Sequence, residues 1–484
     1  MQAIRKLFSP RDMTVGTPWK RILGFAVPML VGNVAQQLYN TVDTIVVGRH
    51  VGSDALAAVG RAFPLLNFML ALFVGVSMGA GILVSQYFGA RNRAMLTRTI
   101  GNCLTLTGVA ALATTVVGFA VTRPLMVALG TPERILDWSV QYMQILFLGI
   151  TGALFYNVLA GILRGLGDSL SALAFLILAT LLNIVLDLWF VISFGWGVAG
   201  VAWATILSQT ISAVLCYLKL NRMRDVFALS RDSFRLKDGV WRDILRLGLP
   251  AGITQAIFSI AMILVQPLQN RFGPEYLAMS TILMRVDGFA MMPNFSFGQT
   301  MTTFIGQNVG ARKVDRLQAG TRQGLALAAI TAVVLTAVIL LFGKEIMSLF
   351  MEDHEIHKNY IITTGMRMMA ILALGYVAMA FIQTLSGAMR GAGDTRTPMM
   401  ISIFTSVILR LPLSYLLIEW TRSPEHPNGW EEALFIVMTL VWVTGAVINL
   451  LAFKFGKWRQ EAARRMDSAG GPEPVSPADS LEIV

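Results

Sequence analysis

The sequence predicts an all-α integral membrane protein with twelve transmembrane helices. The helices form two six-helix lobes related by a pseudo-two-fold axis along the membrane normal. Three observations lead to this prediction: the composition, the long apolar runs and an internal repeat. Of the 484 residues, 55% are hydrophobic and only 14% are charged, whereas a soluble domain has about 25% charged residues. So few charges cannot cover a soluble surface, which excludes the soluble class.

Apolar runs bounded by glycine, proline and charge clusters divide the chain into spans. A transmembrane helix needs about 20 mainly apolar residues to cross roughly 30 Å of hydrocarbon. The runs predict spans at 22–48, 55–86, 99–121, 137–161, 169–194, 198–218, 247–270, 276–306, 323–342, 360–387, 397–418 and 433–453. Several of these exceed 25 residues, which predicts helices that are tilted or that extend beyond the bilayer.

The basic residues predict the orientation. The net charge is +11, which in a soluble chain would suggest a nucleic-acid partner. With twelve spans, however, 28 of the 39 Lys and Arg residues fall on the side of the N-terminus. The positive-inside rule then places both termini in the cytoplasm and leaves no reason to expect nucleic acid. We therefore expect a multi-pass protein of the bacterial cytoplasmic (inner) membrane.

The two halves of the chain repeat one another. Gln86–Arg91 (QYFGAR) matches Gln307–Arg312 (QNVGAR), and Arg164–Asp168 (RGLGD) matches Arg390–Asp394 (RGAGD), at offsets of 221 and 226. Because each half has an even number of spans, both halves share one orientation. Such parallel repeats, with a cavity between them, are typical of transporters.

This repeat predicts the organisation of the chain into five parts. They are a cytoplasmic N-terminal segment (1–21), an N-lobe with spans 1–6 (22–218), a basic cytoplasmic linker (219–246), a C-lobe with spans 7–12 (247–453) and a cytoplasmic tail (454–484). The composition from residue 466 onward predicts that the end of the tail is disordered.

Transport by this chain is not expected to use its own ATP hydrolysis. The sequence has no Gly-x-x-x-x-Gly-Lys-Ser/Thr phosphate loop. An ion gradient is then the expected energy source, and it requires an ionisable or cation-coordinating site within the membrane.

Span 1 carries one candidate for such a site. Asn33, Gln36, Asn40 and Asp43 recur at spacings of 3, 4 and 3, which places them on one helix face. A carboxylate at this depth costs about 2.5–3.5 kcal/mol on insertion scales. Asp43 is therefore expected to face a wet cavity and carry a proton or bind a cation. The alternatives are that it reaches the nearby outer surface or pairs with Arg61.

Spans 5 and 6 carry the second candidate. Asn183 and Asp187 are four residues apart on span 5, and Thr205 lies on span 6 after a single short turn. A carboxylate, an amide oxygen and a hydroxyl suit a hard cation or a proton. The alternative is that the two span 5 side chains only bond to neighbouring helices.

The second half of the chain does not repeat these polar residues. Leu264 or Val265 stands opposite Asp43, Leu409 opposite Asn183 and Leu413 opposite Asp187. This divergence assigns ion coupling to the first half.

The second half offers a predicted cavity wall instead. Gln255, Ser259, Met262 and Gln266 form an uncharged stripe on span 7. Asp287 on span 8 is a weaker second candidate. Three arginines within the spans are compatible with substrate binding or with structural ion pairs; they are Arg285, Arg367 and Arg410.

Over about residues 15–455 the sequence resembles the multidrug and toxic compound extrusion (MATE) transporters. The resemblance rests on the six-plus-six spans and on the paired Gln-x-x-Gly-Ala-Arg and Arg-Gly-x-Gly-Asp motifs. It is closer to the DNA-damage-inducible branch, whose N-lobe cation site corresponds to Asp43, Asp187, Asn183 and Thr205. The resemblance also implies that Pro28 is a hinge in span 1. The other bacterial branch has a Glu on span 7, where this chain has only Gln255 and Phe258.

The resemblance implies a secondary antiporter rather than an enzyme. It would export amphiphilic, often cationic, drugs in exchange for H⁺ or Na⁺ by alternating access, as a monomer among membrane lipids and without a cofactor or other metal. A lipid-linked oligosaccharide flippase is the nearest alternative, and only the three arginines within the spans favour it. A membrane-embedded enzyme acting on lipid phosphates is less favoured because no metal-binding cluster of acids lies within the spans.

Overall fold

The computed structural model describes residues 8–236, 239–348 and 358–470. Within these ranges, the side chains of residues 40, 43–45, 53, 61, 63–65 and 67–72 are not described. The described chain is helical and contains no strand.

Twelve long helices follow one another, and a short one closes the described chain. They are α1 (Pro18–Val46), α2 (Ser53–Gly89), α3 (Arg93–Ala128), α4 (Glu133–Gly165), α5 (Ser169–Ser193), α6 (Gly197–Asn221), α7 (Val240–Asn270), α8 (Pro274–Gly310), α9 (Val314–Ser348), α10 (Lys358–Gly391), α11 (Arg396–Trp420), α12 (Ala433–Phe455) and α13 (Trp458–Ser468). The first six form the N-lobe, and α7–α12 form the C-lobe.

The predicted fold class is confirmed. Ten described helices are long and apolar enough to cross a membrane. Of the other two, α8 contains more polar residues, and α2 qualifies only as the apolar stretch Phe73–Gly89. Most helices extend beyond their predicted spans, as in α9, because charged residues end an apolar run while the helix continues into water.

Local sequence explains several helix boundaries. The side chain of Asn92 accepts a hydrogen bond from the Met95 N–H (3.1 Å) and begins α3, and Asp168 accepts one from the Ser171 N–H (2.9 Å) and begins α5. α1 is followed by a π-helical turn (Val47–Val51), α5 ends in one (Trp189–Ser193), and α11 contains one (Phe404–Leu409). Such turns occur frequently at functional sites.

The molecule has two faces that define its long axis. We call the face that contains the start of α1, the linker between α6 and α7, and α13 the terminal face. We call the opposite one the distal face. The predicted linker is partly helical, with a 3₁₀ turn at Arg231–Phe234. Helix α13 reaches Ser468, so Met466–Ser468, which were predicted to be disordered, are helical. Residues 471–484 lie outside the described residues.

Among the described side chains, the hydrophobic clusters that mix residues of the two lobes lie near the terminal face. There, Ile22 and Phe25 of α1 pack in a cluster with C-lobe residues, while Ile244 and Leu247 of α7 pack in a cluster with N-lobe residues. Near the distal face, each lobe has a large cluster of its own. Among the described residues, the lobes are therefore joined near the terminal face and have separate cores towards the distal face.

Glycines allow the close contact between α2 and α7. A Cβ atom on Gly79 would lie 2.3 Å from the Ile244 carbonyl oxygen, and one on Gly248 would lie 2.5 Å from the Gly75 carbonyl oxygen. These distances are too short for any side chain, so the two backbones approach as in small-residue contacts between membrane helices.

This contact makes a prediction for two glycines of α2. Gly79→Ala is expected to cost about 1–3 kcal/mol through overpacking between the lobes and to lower the apparent melting temperature in detergent. Gly60→Ala is the matched control, because no atom lies within 4 Å of its added Cβ. Equal melting temperatures for the two variants would contradict the close packing.

Candidate functional site

Two glutamines of the repeat join the lobes reciprocally near the terminal face. Gln86 Nε2 in α2 donates to the Gly391 carbonyl oxygen at the end of α10 (3.0 Å). Gln307 Nε2 in α8 donates to the Gly165 carbonyl oxygen at the end of α4 (3.1 Å). Both glutamines are buried. Each Gln-x-x-Gly-Ala-Arg motif thus binds the Arg-Gly-x-Gly-Asp motif of the other lobe.

The glycines of the same motifs bring the ends of α2 and α8 together. A Cβ on Gly89 would lie 1.9 Å from the Gln307 carbonyl oxygen, and one on Gly310 would lie 1.8 Å from the Gln86 carbonyl oxygen. No other residue fits these positions without moving the backbone. The two motifs therefore form a tight closure between the lobes.

The described part of the N-terminal segment covers this closure. The Met13 N–H donates to Gln307 Oε1 (2.9 Å), and Arg316 Nη2 donates to the Met13 carbonyl oxygen (3.0 Å). Lys313 Nζ donates to the Thr14 carbonyl oxygen (2.9 Å). These bonds attach the segment to the C-lobe end of the closure.

Pro28 lies within α1, which continues through it as an α-helix. Because proline has no N–H, the carbonyl of Gly24 four residues earlier loses its helical partner. Arg11 Nη1 donates to that oxygen at 3.2 Å. The N-terminal segment therefore satisfies the backbone group that the predicted hinge residue leaves open.

The polar stripe of α1 reaches the boundary between the closure and the distal half. Asn33 Nδ2 donates to Ser296 Oγ of α8 (2.9 Å). Among the described residues, every other hydrogen bond between the lobes lies nearer the terminal face than this pair. Gln36, one turn further along α1, is half-buried. The predicted cavity residues Asn33 and Gln36 thus face the region where the lobes separate.

The stripe on α7 continues the face that contacts the N-lobe. From Gly248 and Gly252, which pack on α2, spacings of three or four residues lead along the same helix face. They reach the predicted wall residues Gln255, Ser259, Met262 and Gln266. Gln255, Met262 and Gln266 are exposed and Ser259 is half-buried. The face that closes the lobes near the terminal face therefore becomes a polar, accessible wall towards the distal face.

The predicted acid of α5 lies inside the N-lobe. Asn183 and Asp187 are fully buried, on a helix that packs against α1 and α6. On α6, the oxygens Thr205 Oγ1 and Gln209 Oε1 are buried and have no hydrogen-bond partner among the described residues. At about 1.5 Å per residue from the connecting turn, Asp187 and Thr205 lie at similar depths. A carboxylate and several oxygen acceptors are thus buried at similar depths on neighbouring helices of the N-lobe.

Gln209 was not found from the sequence. It lies four residues after Thr205, so the two side chains share one face of α6. The four-residue spacing from Thr205 is the sequence signal that could have identified Gln209.

One side chain of the predicted coupling site, one of the predicted cavity and the alternative partner of Asp43 lie outside the described residues. These are Asp43, Asn40 and Arg61. The backbone of Asp43 belongs to α1, near its end at Val46. The position of its carboxylate, and its pairing with Arg61, remain sequence predictions.

The C-lobe holds a separate polar cluster. Asp287 of α8 lies among buried C-lobe residues, and Tyr376 of α10 and Arg410 of α11 are the polar groups that interact with its carboxylate. Arg367 forms an ion pair with Glu432. The structure therefore places a carboxylate close to Arg367 and another close to Arg410. The Arg285 side chain is exposed.

In the described part of the chain, no three His, Cys, Asp or Glu side chains are grouped to hold a metal ion. The polar groups of the N-lobe interior are instead a mixture of carboxylate, amide and hydroxyl oxygens, which suits hard cations.

Known proteins match this chain along most of its length. The sequence model of the family described as MatE matches residues 28–189 and 250–416. The probable multidrug resistance protein YoeA of Bacillus subtilis is 31% identical, over 84% of this chain and 88% of its own length. DNA damage-inducible protein F of Escherichia coli is 26% identical over 68% of this chain and 72% of its own. A solved multidrug resistance MATE transporter of the MOP superfamily, described as outward-facing, superposes with a TM-score of 0.85 at 25% identity, covering 94% of this chain and 99% of its own.

The reciprocal glutamine bonds lead to a prediction about the closure. Gln86→Leu or Gln307→Leu leaves a buried carbonyl unpaired, which costs about 1–3 kcal/mol, so the ratio of open to closed lobes should rise about 5- to 150-fold. The measurement is pulsed EPR between spin labels at Ala94→Cys and Asp315→Cys, two exposed positions related by the repeat, with the buried Cys103 and Cys216 replaced by alanine.

The control is Gln318→Leu, which changes an exposed glutamine of α9. It should leave the label distances unchanged. An unchanged distance distribution in both glutamine variants of the closure would mean that these bonds do not hold the lobes together.

Proposed function

The chain belongs to the MATE family of multidrug efflux transporters and is not an enzyme, and from this premise we propose that it is an ion-coupled antiporter. It would export amphiphilic, often cationic, organic compounds in exchange for H⁺ or Na⁺. The observation that carries the proposal is the fully buried Asp187 beside Asn183, in an N-lobe interior that also contains unsatisfied oxygens of α6.

A buried carboxylate with nearby oxygen acceptors supports ion coupling for a physical reason. An isolated charge is costly inside the membrane, so such a group either takes up a proton or binds a cation. Thr205 Oγ1 and Gln209 Oε1 lack bonds that a bound cation or a hydronium would supply. We propose that Asp187, Asn183, Thr205 and Gln209 form this site together with Asp43.

We further propose that the terminal face is cytoplasmic. The chain is a multi-pass membrane protein, and its basic residues concentrate on the side of the N-terminus, as the positive-inside rule requires of cytoplasmic segments. The proposed location is the bacterial inner membrane. We propose that no cofactor takes part and that the transporting unit is a monomer.

In this orientation the molecule is closed to the cytoplasm and has a polar wall towards the outside. An ion that enters from outside and binds in the N-lobe changes the charge of the site. That charge change favours one lobe arrangement over the other, and a ligand can shift a conformational equilibrium only through such a differential interaction. Drug release before ion binding and ion release after lobe rearrangement would complete the exchange.

The structure gives less support to the flippase alternative. A site for a pyrophosphate would need uncompensated cationic groups. Arg367, however, pairs with Glu432, and Arg410 interacts with Asp287. We therefore propose that Asp287 and Arg410 are part of a charge-balanced C-lobe wall beside the drug path.

The first test is dye efflux from proteoliposomes under separately imposed pH and Na⁺ gradients. Asp187→Asn and Asp43→Asn should each reduce gradient-driven efflux at least about tenfold, because an amide can neither release a proton nor balance a cation. Asp54→Asn is the control, since Asp54 forms a solvent-exposed pair with Arg134. The gradient that drives efflux by the unmodified protein identifies the ion.

If both aspartate variants respond to the gradients as the unmodified protein does, the N-lobe mechanism is wrong. If efflux by the unmodified protein responds to neither gradient, the antiport proposal is wrong.

The second test asks whether the site needs the hydroxyl oxygen of Thr205 or only the volume of its side chain. Thr205→Val keeps the volume but removes an oxygen ligand, so half-maximal efflux should need about tenfold more of the coupling ion. Thr205→Ser keeps the oxygen and should stay within about twofold. A normal ion dependence in the valine variant would remove Thr205 from the site.

A further inference from the structure

Helix α13 joins the cores of both lobes at the terminal face. Trp458 and Ala462 pack in the cluster that contains C-lobe residues such as Phe304 and Met389. Ala469, directly after the helix, packs in the cluster that contains N-lobe residues such as Tyr87. One short helix thus spans the line along which the lobes meet.

The carbonyl oxygens at the end of α13 bind equivalent loops of the two lobes. Arg312 Nε, in the loop between α8 and α9, donates to the Met466 oxygen (3.2 Å). Asn92 Nδ2, in the loop between α2 and α3, donates to the Ala469 oxygen (3.0 Å). Arg91 and Arg312 adopt the same left-handed conformation, with φ of 56° and 55°. The end of α13 therefore binds the loop after α2 in the N-lobe and the equivalent loop after α8 in the C-lobe.

Arg465 is the charged residue at the centre of this contact. Its side chain is only 8% exposed, and its Nη1 lies 3.5 Å from Asp243 Oδ2 in the first turn of α7. Its Nε lies 3.8 Å from Glu461 Oε1. The aliphatic part of the side chain lies against Gly393, whose φ is +100° and where an added Cβ would come within 3.1 Å of Arg465 Cγ. Arg465 thus contacts α7 and the Arg-Gly-x-Gly-Asp motif of the C-lobe at once.

Helix α13 is firmly attached to the C-lobe. Only Gly456 and Lys457 separate it from α12. The Trp458 ring stacks on Phe453 at 4.6 Å, and its Nε1 donates to the Phe453 carbonyl oxygen (2.6 Å). If the lobes separate at the terminal face, the attachment that breaks is the one to Asn92 and to the N-lobe cluster around Ala469.

We infer that Arg465 is a positioning residue for transport, which holds α13 as a clasp across the two lobes and favours the arrangement closed at the terminal face. This inference rests on the proposed alternating access. Opening would require the α13 contacts to the N-lobe to break. The ion pair between the nearly buried Arg465 and the half-exposed Asp243 fixes the orientation of α13. That orientation keeps the Met466 and Ala469 carbonyl oxygens against the loops of the two lobes.

The test compares Arg465→Ala with Arg464→Ala in the full chain in proteoliposomes. Arg464 is the matched control, since it is the neighbouring residue and is 76% exposed. Among the described residues it pairs only with Glu461. The readout is the distance distribution between spin labels at Ala94→Cys and Asp315→Cys, in the background without the native cysteines. Arg465→Ala should raise the open fraction about tenfold, within the usual range of coupling effects, and Arg464→Ala should not change it.

Two further variants separate a clasp from a general loss of stability. Arg465→Lys keeps the charge and should restore most of the closed fraction. Asp243→Asn should open the lobes in the same direction as Arg465→Ala. If Arg465→Ala lowers the melting temperature but leaves the open fraction unchanged, the residue is only structural and the inference is overturned.

Dye efflux distinguishes this failure from a failure of the proposed function. If the unmodified protein responds to no ion gradient while Arg465→Ala still opens the lobes, antiport is wrong and the clasp stands. If gradient-driven efflux is normal and the label distances do not respond to Arg465→Ala, the clasp is wrong and antiport stands.

Discussion

The absence of water from the hydrocarbon core is the constraint on which the rest of the structure depends. Backbone groups within the bilayer must find partners in the chain, so the spans are helices. Polar side chains must face a partner, a cavity or a ligand. In this protein the reciprocal glutamines face partners, the stripe on α7 faces the opening between the lobes, and Asp187 is buried with other oxygen-bearing side chains. The placement of polar residues thus distinguishes three regions: the closure, the opening between the lobes and the candidate ion site.

The two lobes are symmetric where they meet and asymmetric where an ion would bind. The repeated motifs make matching bonds, from Gln86 to Gly391 and from Gln307 to Gly165. The acids of α1 and α5 have apolar counterparts in the C-lobe. A symmetric closure can open and close by one relative rotation of two similar bodies, whereas an asymmetric site lets a single ion-binding event bias that rotation. The symmetric closure follows from the duplication of the two halves, and the asymmetric ion site follows from the divergence of the second half.

Periodicity and the repeat predict the number of helices, their grouping into lobes and the buried face of α5, because these depend on local patterns. They cannot show which copy of a motif binds which. Gln86 belongs to the same half of the chain as the motif around Arg164, but it bonds to the motif around Arg390 in the other half. Tertiary packing determines which copy is bound. The clasp was missed for a similar reason, since α13 has a strongly polar sequence and its buried Arg465 depends on Asp243, more than two hundred residues away. The sequence does not predict Gln209 as a site residue, because a single neutral amide on an apolar helix is only weak evidence of a binding site.

Helix α1 connects the candidate ion site with the closure. It packs against α5, which carries Asp187, and against α8, which carries Ser296 and Gln307. Between these contacts lies Pro28, whose missing N–H is compensated by Arg11 from the N-terminal segment. In the proposed cycle, the charge changes at the distal end of α1. The same helix lacks a backbone hydrogen bond at Pro28, which lies beside the closure. If α1 bends at Pro28 as proposed, the Arg11 bond to the Gly24 carbonyl oxygen would be exchanged for one with water. The proposed hinge is thus linked to the closure through the N-terminal segment, which bonds to both.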